Sequence, residues 1–179
     1  MTMLHFDWAV LDWIQAHLAS GFGDMVMPLI TRLGDGGICW AFLSGALLLH
    51  PKTRRVGAAV AVGLAIEVVC CNFLLKPLIG RIRPCDINLS VTLLIPRPMD
   101  FSFPSGHTGA AFAAVAALGT SGSRLWAPAL ALASLIAFSR LYLYVHYPTD
   151  VLAGILLGLL SGWVGQRLVQ VVWKRQHTR

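Results

Sequence analysis

Three short stretches of this sequence carry side chains suited to phosphoryl chemistry. Lys76 is followed after six residues by Arg83-Pro84; then comes Pro104-Ser105-Gly106-His107; then Ser139-Arg140, which leads after five residues to His146 and after three more to Asp150. Together they supply three cations, two imidazoles and a carboxylate. Such a set is sufficient to cleave a phosphate monoester or anhydride without a metal, because positioned cations stabilise the charge spread over a transferring phosphoryl group. Lys76, Arg83 and Arg140 are the expected clamp, with arginine adding bidentate geometry. Lys76 and Arg83 would also suit snorkelling toward lipid headgroups, but Arg140 lies inside the apolar run from Ala137 to Val145, where that explanation is weaker.

The remaining residues divide into an anion cradle and a proton-handling pair. Ser105-Gly106-His107 opens a helix: Ser105 reads as its N-cap, Gly106 lets the backbone approach a ligand, and the free N–H groups attract an anion. Pro148 reads as the first position of the last helix, which puts Asp150 in the first turn. There Asp150 complements the helix dipole or accepts a hydrogen bond from His146, fixing its tautomer and strengthening the other ring nitrogen as a nucleophile. His107 is then the acid that protonates the leaving oxygen.

These residues must be positioned by a membrane protein. Of the 179 residues, 56% are hydrophobic and only 12% charged, and mean hydropathy is +0.69; a soluble domain carries about 25% charged residues. One all-α domain is expected over residues 1–179, since no polar linker divides it. Five apolar segments, 36–50, 55–76, 105–120, 124–143 and 148–172, read as spanning helices. Residues 4–18 place Leu4, Trp8, Leu11, Ile14 and Leu18 against Asp7, Asp12 and Gln15, which predicts an amphipathic helix in the membrane interface. Residues 22–33 form a second short helix, ended by Gly34-Asp35-Gly36-Gly37. These two helices make an N-terminal interfacial unit over 1–34; merging them into a sixth crossing is the alternative. The sequence lacks the basic n-region of a signal peptide. Of the cysteines, Cys39, Cys70 and Cys71 lie in apolar segments, only Cys85 is expected to meet water, and none has metal-ligand spacing.

The net charge of +6 is not gathered on one soluble face, which argues against nucleic acid as a partner. Lys52, Arg54 and Arg55, Arg124, and Lys174, Arg175 and Arg179 fall on one side if five spans alternate, and that side is expected to be cytoplasmic. Lys76, Arg81, Arg83, Arg97 and Arg140 fall on the other side, against the rule, and an anionic ligand is the simplest reason. The loop 77–104 and the connection 144–148 share that outer face, so the candidate residues all lie at one depth. Gly154, Gly158 and Gly162 recur on one face of the last span, as Gly109, Ala113 and Ala117 do on the third, and small residues at this spacing let membrane helices approach closely. Glu67, deep in the second span, is either functional or a protonated residue bonded to a neighbouring helix. Asn72 lies one turn before Lys76, placed to orient it.

The three stretches resemble the pattern of the type 2 phosphatidic acid phosphatase superfamily, which includes glucose-6-phosphatase and the vanadium haloperoxidases. Lys76 to Pro84, Pro104 to His107 and Ser139 to Asp150 match it without departure, and the resemblance covers about residues 67–155. It implies His146 as a nucleophile that forms a phosphohistidine, Asp150 as its orienting partner and His107 as general acid. Phosphate would be bound by Lys76, Arg83, Ser105, Gly106, His107 and Arg140. It also implies no metal or other cofactor and an extracytoplasmic site. The small size resembles bacterial undecaprenyl-diphosphate phosphatases, which places the chain in a bacterial inner membrane with a lipid phosphate as substrate: an isoprenyl diphosphate, or alternatively phosphatidylglycerophosphate or phosphatidate. A lipid-binding protein without catalysis is the competing class. Arg81, Arg97 and Asp100 stand outside the shared pattern.

Overall fold

The computed structural model describes residues 2–177, with side chains from residue 5 to residue 175. The side chain of Leu4 and the whole of Arg179 lie outside the described residues. In chain order the helices are α1 (Thr2–His17), α2 (Gly21–Leu33), α3 (Ile38–Leu49), α4 (Arg54–Val68), α5 (Lys76–Ile79), α6 (Pro84–Ile87), α7 (Gly106–Thr120), α8 (Trp126–Tyr142) and α9 (Pro148–His177), and no strand occurs among the described residues. The expected all-α class is therefore observed. Among the described residues, two helical runs are long and apolar enough to cross a membrane, the one that begins at Arg54 and α9, while α8 is apolar but shorter. At 12 and 15 residues, α3 and α7 are below the about 20 residues that a span needs.

Helix α9 is the axis of the bundle, and glycine lets its neighbours reach it. A Cβ on Gly154 would lie 2.6 Å from the Ser105 carbonyl, one on Gly158 would collide with the Gly109 carbonyl, and one on Gly162 with the Ala113 carbonyl. The two series rise together, so α7 and α9 run parallel in near backbone contact. On another face, a Cβ on Gly165 would lie 2.5 Å from the Gly63 nitrogen and 2.9 Å from the Ala59 carbonyl, so α4 packs antiparallel. The two small-residue faces meet each other, and the core around them is built largely from alanine, with Ala110, Ala111, Ala114, Ala117 and Ala133 all buried. The Arg54 guanidinium sits 5.2 Å from the centroid of the Trp173 ring, which brings the start of α4 to the end of α9, opposite the motif residues.

Two local departures from a regular bundle matter for the site. The expected single helix over 55–76 instead passes through a π-helical segment, Val69–Leu75, whose register is marked by the Lys76 N–H donating to the Cys71 carbonyl. Such segments insert one residue per turn and often accompany functional positions; here the segment leads directly into Lys76. The N-terminal helices also differ from the expected apolar-inside pattern. On α1 the buried stripe is Asp7, Leu11 and Ile14, while Leu18 is exposed. Asp7 is inside because cationic and polar groups of the motif region meet it there, as described below. Cys85, expected to meet water, is buried beside Leu143 and Val145.

Candidate active site

The connection between α8 and α9 presents His146. It contains Tyr144 at φ 57°, the left-handed region that costs a bulky residue energy. Tyr144 is held there by its hydroxyl, which donates to Asp12 Oδ1 at 2.9 Å and accepts from Asn88 at 3.3 Å. The chain turns at this point and carries the His146 ring into the interior, 1% exposed. Its Nε2 lies 3.0 Å from Arg83 Nη1. Burial, and then the charges of Arg83, Arg140 and Lys76, push the imidazole well below its ordinary value of 6.5, so it is neutral.

The cations converge on the same space. Arg83 donates from Nη1 to the Val145 carbonyl at 2.7 Å, from Nε to the Asp100 carbonyl at 2.8 Å and from Nη2 to Asp100 Oδ1 at 2.6 Å. Lys76 pairs with the other oxygen of Asp100 rather than with Asn72. Burial works against the charge of Asp100, but Lys76 and Arg83 outweigh it and hold the carboxyl at about 2. Arg140, on the last turn of α8, donates from Nη1 to Thr31 Oγ1 of α2, while its buried Nε–H meets no acceptor among the described residues. His107 Nε2 is 2.8 Å from Asp35 Oδ1 in the α2–α3 turn, where Gly36 and Gly37 take φ of 58° and 68°.

Six of the eight expected site residues, Lys76, Arg83, Gly106, His107, Arg140 and His146, line one cavity of about 420 Å³. Ser105 and Asp150 stand behind it. Ser105 is not the side-chain cap expected: its Oγ lies 3.0 Å from Thr108 Oγ1, and its N–H donates to the Asp150 carbonyl at 3.1 Å. The serine therefore ties the start of α7 to α9. Asp150 is next to His146, but Oδ2 is 3.5 Å from Nδ1 and does not accept the expected hydrogen bond. Oδ2 instead takes the Ser102 hydroxyl at 2.5 Å and the Tyr147 N–H at 2.9 Å, and Oδ1 takes Arg81 at 2.6 Å. Glu67 and Asn72 line a smaller cavity of about 280 Å³ that shares Lys76, Gly106 and His107 with the first. A larger cavity of about 740 Å³ beside α1 contains Asp12 and Asp24 but no cation among the described residues, and so does not suit a phosphate.

Sequence reasoning missed Asp7, Thr31, Asp35 and Ser102 and left Arg81 and Asp100 without a role. Arg81 stood out only as one of the cations of the outer face, and Asp7 only as part of the polar face of an amphipathic α1, a signal that pointed to solvent.

A family model described as the PAP2 superfamily matches residues 56–175. The undecaprenyl-diphosphatase of Sulfolobus acidocaldarius is 34% identical over 82% of this chain and 69% of that protein. The decaprenylphosphoryl-5-phosphoribose phosphatase of Mycolicibacterium smegmatis is 37% identical over 82% of this chain and 79% of that protein. Among solved structures, the PAP2-type phosphatidylglycerolphosphate phosphatase of Bacillus subtilis superposes with a TM-score of 0.77 at 26% identity, covering 96% of this chain and 88% of that one.

Proposed function

The chain belongs to the PAP2 superfamily and is a lipid phosphatase, and from that premise we propose that it removes the terminal phosphate of an isoprenyl diphosphate such as undecaprenyl diphosphate, through a phosphohistidine. The observation that carries the mechanism is the single cavity lined by both imidazoles and all three clamp cations. Lys76, Arg83 and Arg140 hold the phosphoryl oxygens, with Arg83 Nη1, 3.0 Å from His146 Nε2, setting one of them beside the attacking atom. The Nε2 lone pair forms the N–P bond as the bridging P–O bond breaks, and His107 gives its proton to the departing lipid phosphate. A water that loses its proton to His107 then attacks phosphorus, the N–P bond breaks, and inorganic phosphate leaves with His107 recharged. The neutral state of His146 suits the first step.

An isoprenyl substrate is favoured by the two curated relatives described above, whose names both carry a polyprenyl chain. The structural likeness to the phosphatidylglycerolphosphate phosphatase supports the second reading, a glycerolipid phosphate. The apolar segments would cross a bacterial inner membrane five times. Lys52, Arg54, Arg55 and Arg175 then lie at the cytoplasmic end, and the cavity opens on the extracytoplasmic side. Phosphate release by the purified protein from undecaprenyl diphosphate, phosphatidylglycerophosphate and phosphatidate in one detergent tests the assignment. The highest kcat/KM is expected for undecaprenyl diphosphate, with full activity in EDTA. Faster turnover of either glycerolipid overturns the substrate, and unchanged turnover by His146→Ala overturns the mechanism.

A further inference from the structure

Behind the nucleophile lies a buried charge network that begins in the N-terminal helix, outside both the motifs and the residues of the family match. Asp7 of α1 is fully buried. Its Oδ2 accepts from Arg81 Nη2 at 2.5 Å and from Thr149 Oγ1 at 2.7 Å, and its Oδ1 accepts the Thr149 N–H at 3.0 Å. That N–H belongs to the first turn of α9 and has no partner within its own helix, so Asp7 caps α9 from a different helix. Arg81 is shared: its Nη1 donates to Asp150 Oδ1 at 2.6 Å, and its guanidinium lies 3.9 Å from the centroid of the Tyr147 ring. Each contact of Asp7 thus falls on a group that flanks His146 or Asp150.

Charge decides what this arrangement does. With Arg81 alone, Asp150 would be neutralised one for one. With Asp7 present, two carboxylates face one guanidinium, and the cluster retains a net negative charge beside the His146 ring. On its other side that ring faces Arg83, Arg140, Lys76 and His107, with Asp100 and Asp35 paired to them. Phosphorylation at Nε2 with a proton on Nδ1 makes the ring cationic in this positive surrounding. We propose that Asp7 is a positioning residue for the nucleophile: by sharing Arg81 it leaves Asp150 with a negative charge beside the His146 ring that balances the positive charge the ring gains on phosphorylation. The inference rests on His146 as the nucleophile.

Substitutions of opposite charge sense test it in the full-length protein in detergent. Asp7→Asn removes a negative charge, so protonating His146 becomes harder. The acid limb of kcat/KM and the ¹⁵N-NMR titration of the His146 ring should move to lower pH, by up to about one unit. kcat should fall about tenfold, with KM unchanged because Asp7 does not reach the cavity. Asp7→Ser serves the same arm if the amide does not fold. Arg81→Gln removes a positive charge and should move the limb to higher pH, while Asp7→Glu should restore the limb of the unsubstituted protein. Leu11→Ala loosens the docking of α1 without changing charge and should leave the limb where it is. Shifts of one sign in both charge variants, no shift in either, or a Leu11→Ala limb that matches Asp7→Asn overturns the proposal. Turnover by His146→Ala would remove the reading beneath it, whereas an inactive His146→Ala beside an unaltered Asp7→Asn removes this inference alone.

Discussion

Helix α9 is held at its start and at its middle by opposite means. At the start, charged groups from two distant parts of the chain hold it: Asp7 and Arg81 meet around Thr149 and Asp150. In the middle, the absence of side chains holds it, because Gly158 and Gly162 bring its backbone against that of α7. Close packing between glycine and alanine faces depends on shape, and it fixes where the helices lie whatever the charge state. The charged end is directional and responds to a proton or an anion, as phosphoryl transfer requires. The molecule therefore separates rigidity from chemistry along one helix, and substitutions at the two levels should have separable consequences.

The largest effect is expected at the charged end. Arg140→Ala removes a buried cation of the cavity wall whose Nε–H has no acceptor among the described residues. Loss of one preorganised donor to a transition state costs about 10²–10³-fold, or about 2.7–4 kcal/mol. kcat/KM for a lipid phosphate substrate should fall by that factor; Arg140→Lys should recover only part of it, because it lacks the planar fork. Circular dichroism spectra like those of the unsubstituted protein would show that the helices survive. Activity within a few-fold of normal would mean that Arg140 is structural and that the division drawn here is wrong.

Next in size is the glycine seam. Gly158→Ala puts a methyl group on the Gly109 carbonyl, with the Ala113 nitrogen at 2.9 Å, and neither backbone atom can move aside cheaply. Overpacking of this kind costs about 1–3 kcal/mol. Thermal unfolding in detergent should show a lower Tm, while kcat per folded molecule stays close to normal. A collapse of kcat at unchanged Tm would show that the seam tunes the site.

The two levels also differed in how much the sequence disclosed. The seam was legible because helical spacing is a local signal: Gly154, Gly158 and Gly162 predict a close approach wherever their partner lies, and Gly109 and Ala113 show the same spacing. The cavity wall was legible for a related reason, since alternating apolar segments predict that Lys76, Arg83, His107, Arg140 and His146 share one level, and these residues do line one cavity. The second layer was not. Asp7 and Asp150 are separated by most of the chain, and nothing local distinguishes a buried carboxylate that meets Arg81 from a solvated one on an amphipathic face. Likewise, the spacing from His146 to Asp150 predicts a hydrogen bond, but Ser102 and the Tyr147 N–H take the oxygen first. Nor does anything in the run from Val69 to Leu75 mark the change of register to a π segment before Lys76.

A pH experiment reads the charged end through stability. The folded state holds His146 neutral because burial, and then Arg83, depress its pKa below the ordinary 6.5. In the unfolded chain the ring titrates near that ordinary value, so below it the unfolded state binds the extra proton. Stability from this group is fully present above pH 6.5 and declines as pH falls, by up to about 1.4 kcal/mol per unit. Asp100 adds the same sign only in stronger acid, being held at about 2 against an ordinary 3.8. Between about pH 6.5 and pH 5, Tm should therefore fall in the native protein and fall less in His146→Gln, which has no ring to charge. Parallel curves would mean that the His146 ring takes up its proton equally in the folded and unfolded states, so that its surroundings do not disfavour the charge.

The smallest effect expected sharpens the comparison most. Thr31 of α2 is buried, 2% exposed, and its hydroxyl accepts from Arg140 Nη1. Thr31→Val keeps shape and volume nearly constant and deletes that acceptor. Arg140 retains its charge and its place in the cavity wall but loses the bond that aims it, so about 1 kcal/mol, or about fivefold in kcat/KM, is expected. Because the guanidinium can turn toward the anion it binds, the loss should appear more in kcat than in KM. With inorganic phosphate bound, Tm should change little, since the substitution leaves no cavity and Arg140 can use the phosphate as acceptor. A lower Tm with normal kcat would assign Thr31 to packing, alongside the glycines. The expected result would instead place α2 with α1 among the elements that aim the chemistry, although both lie before the residues by which the family is recognised.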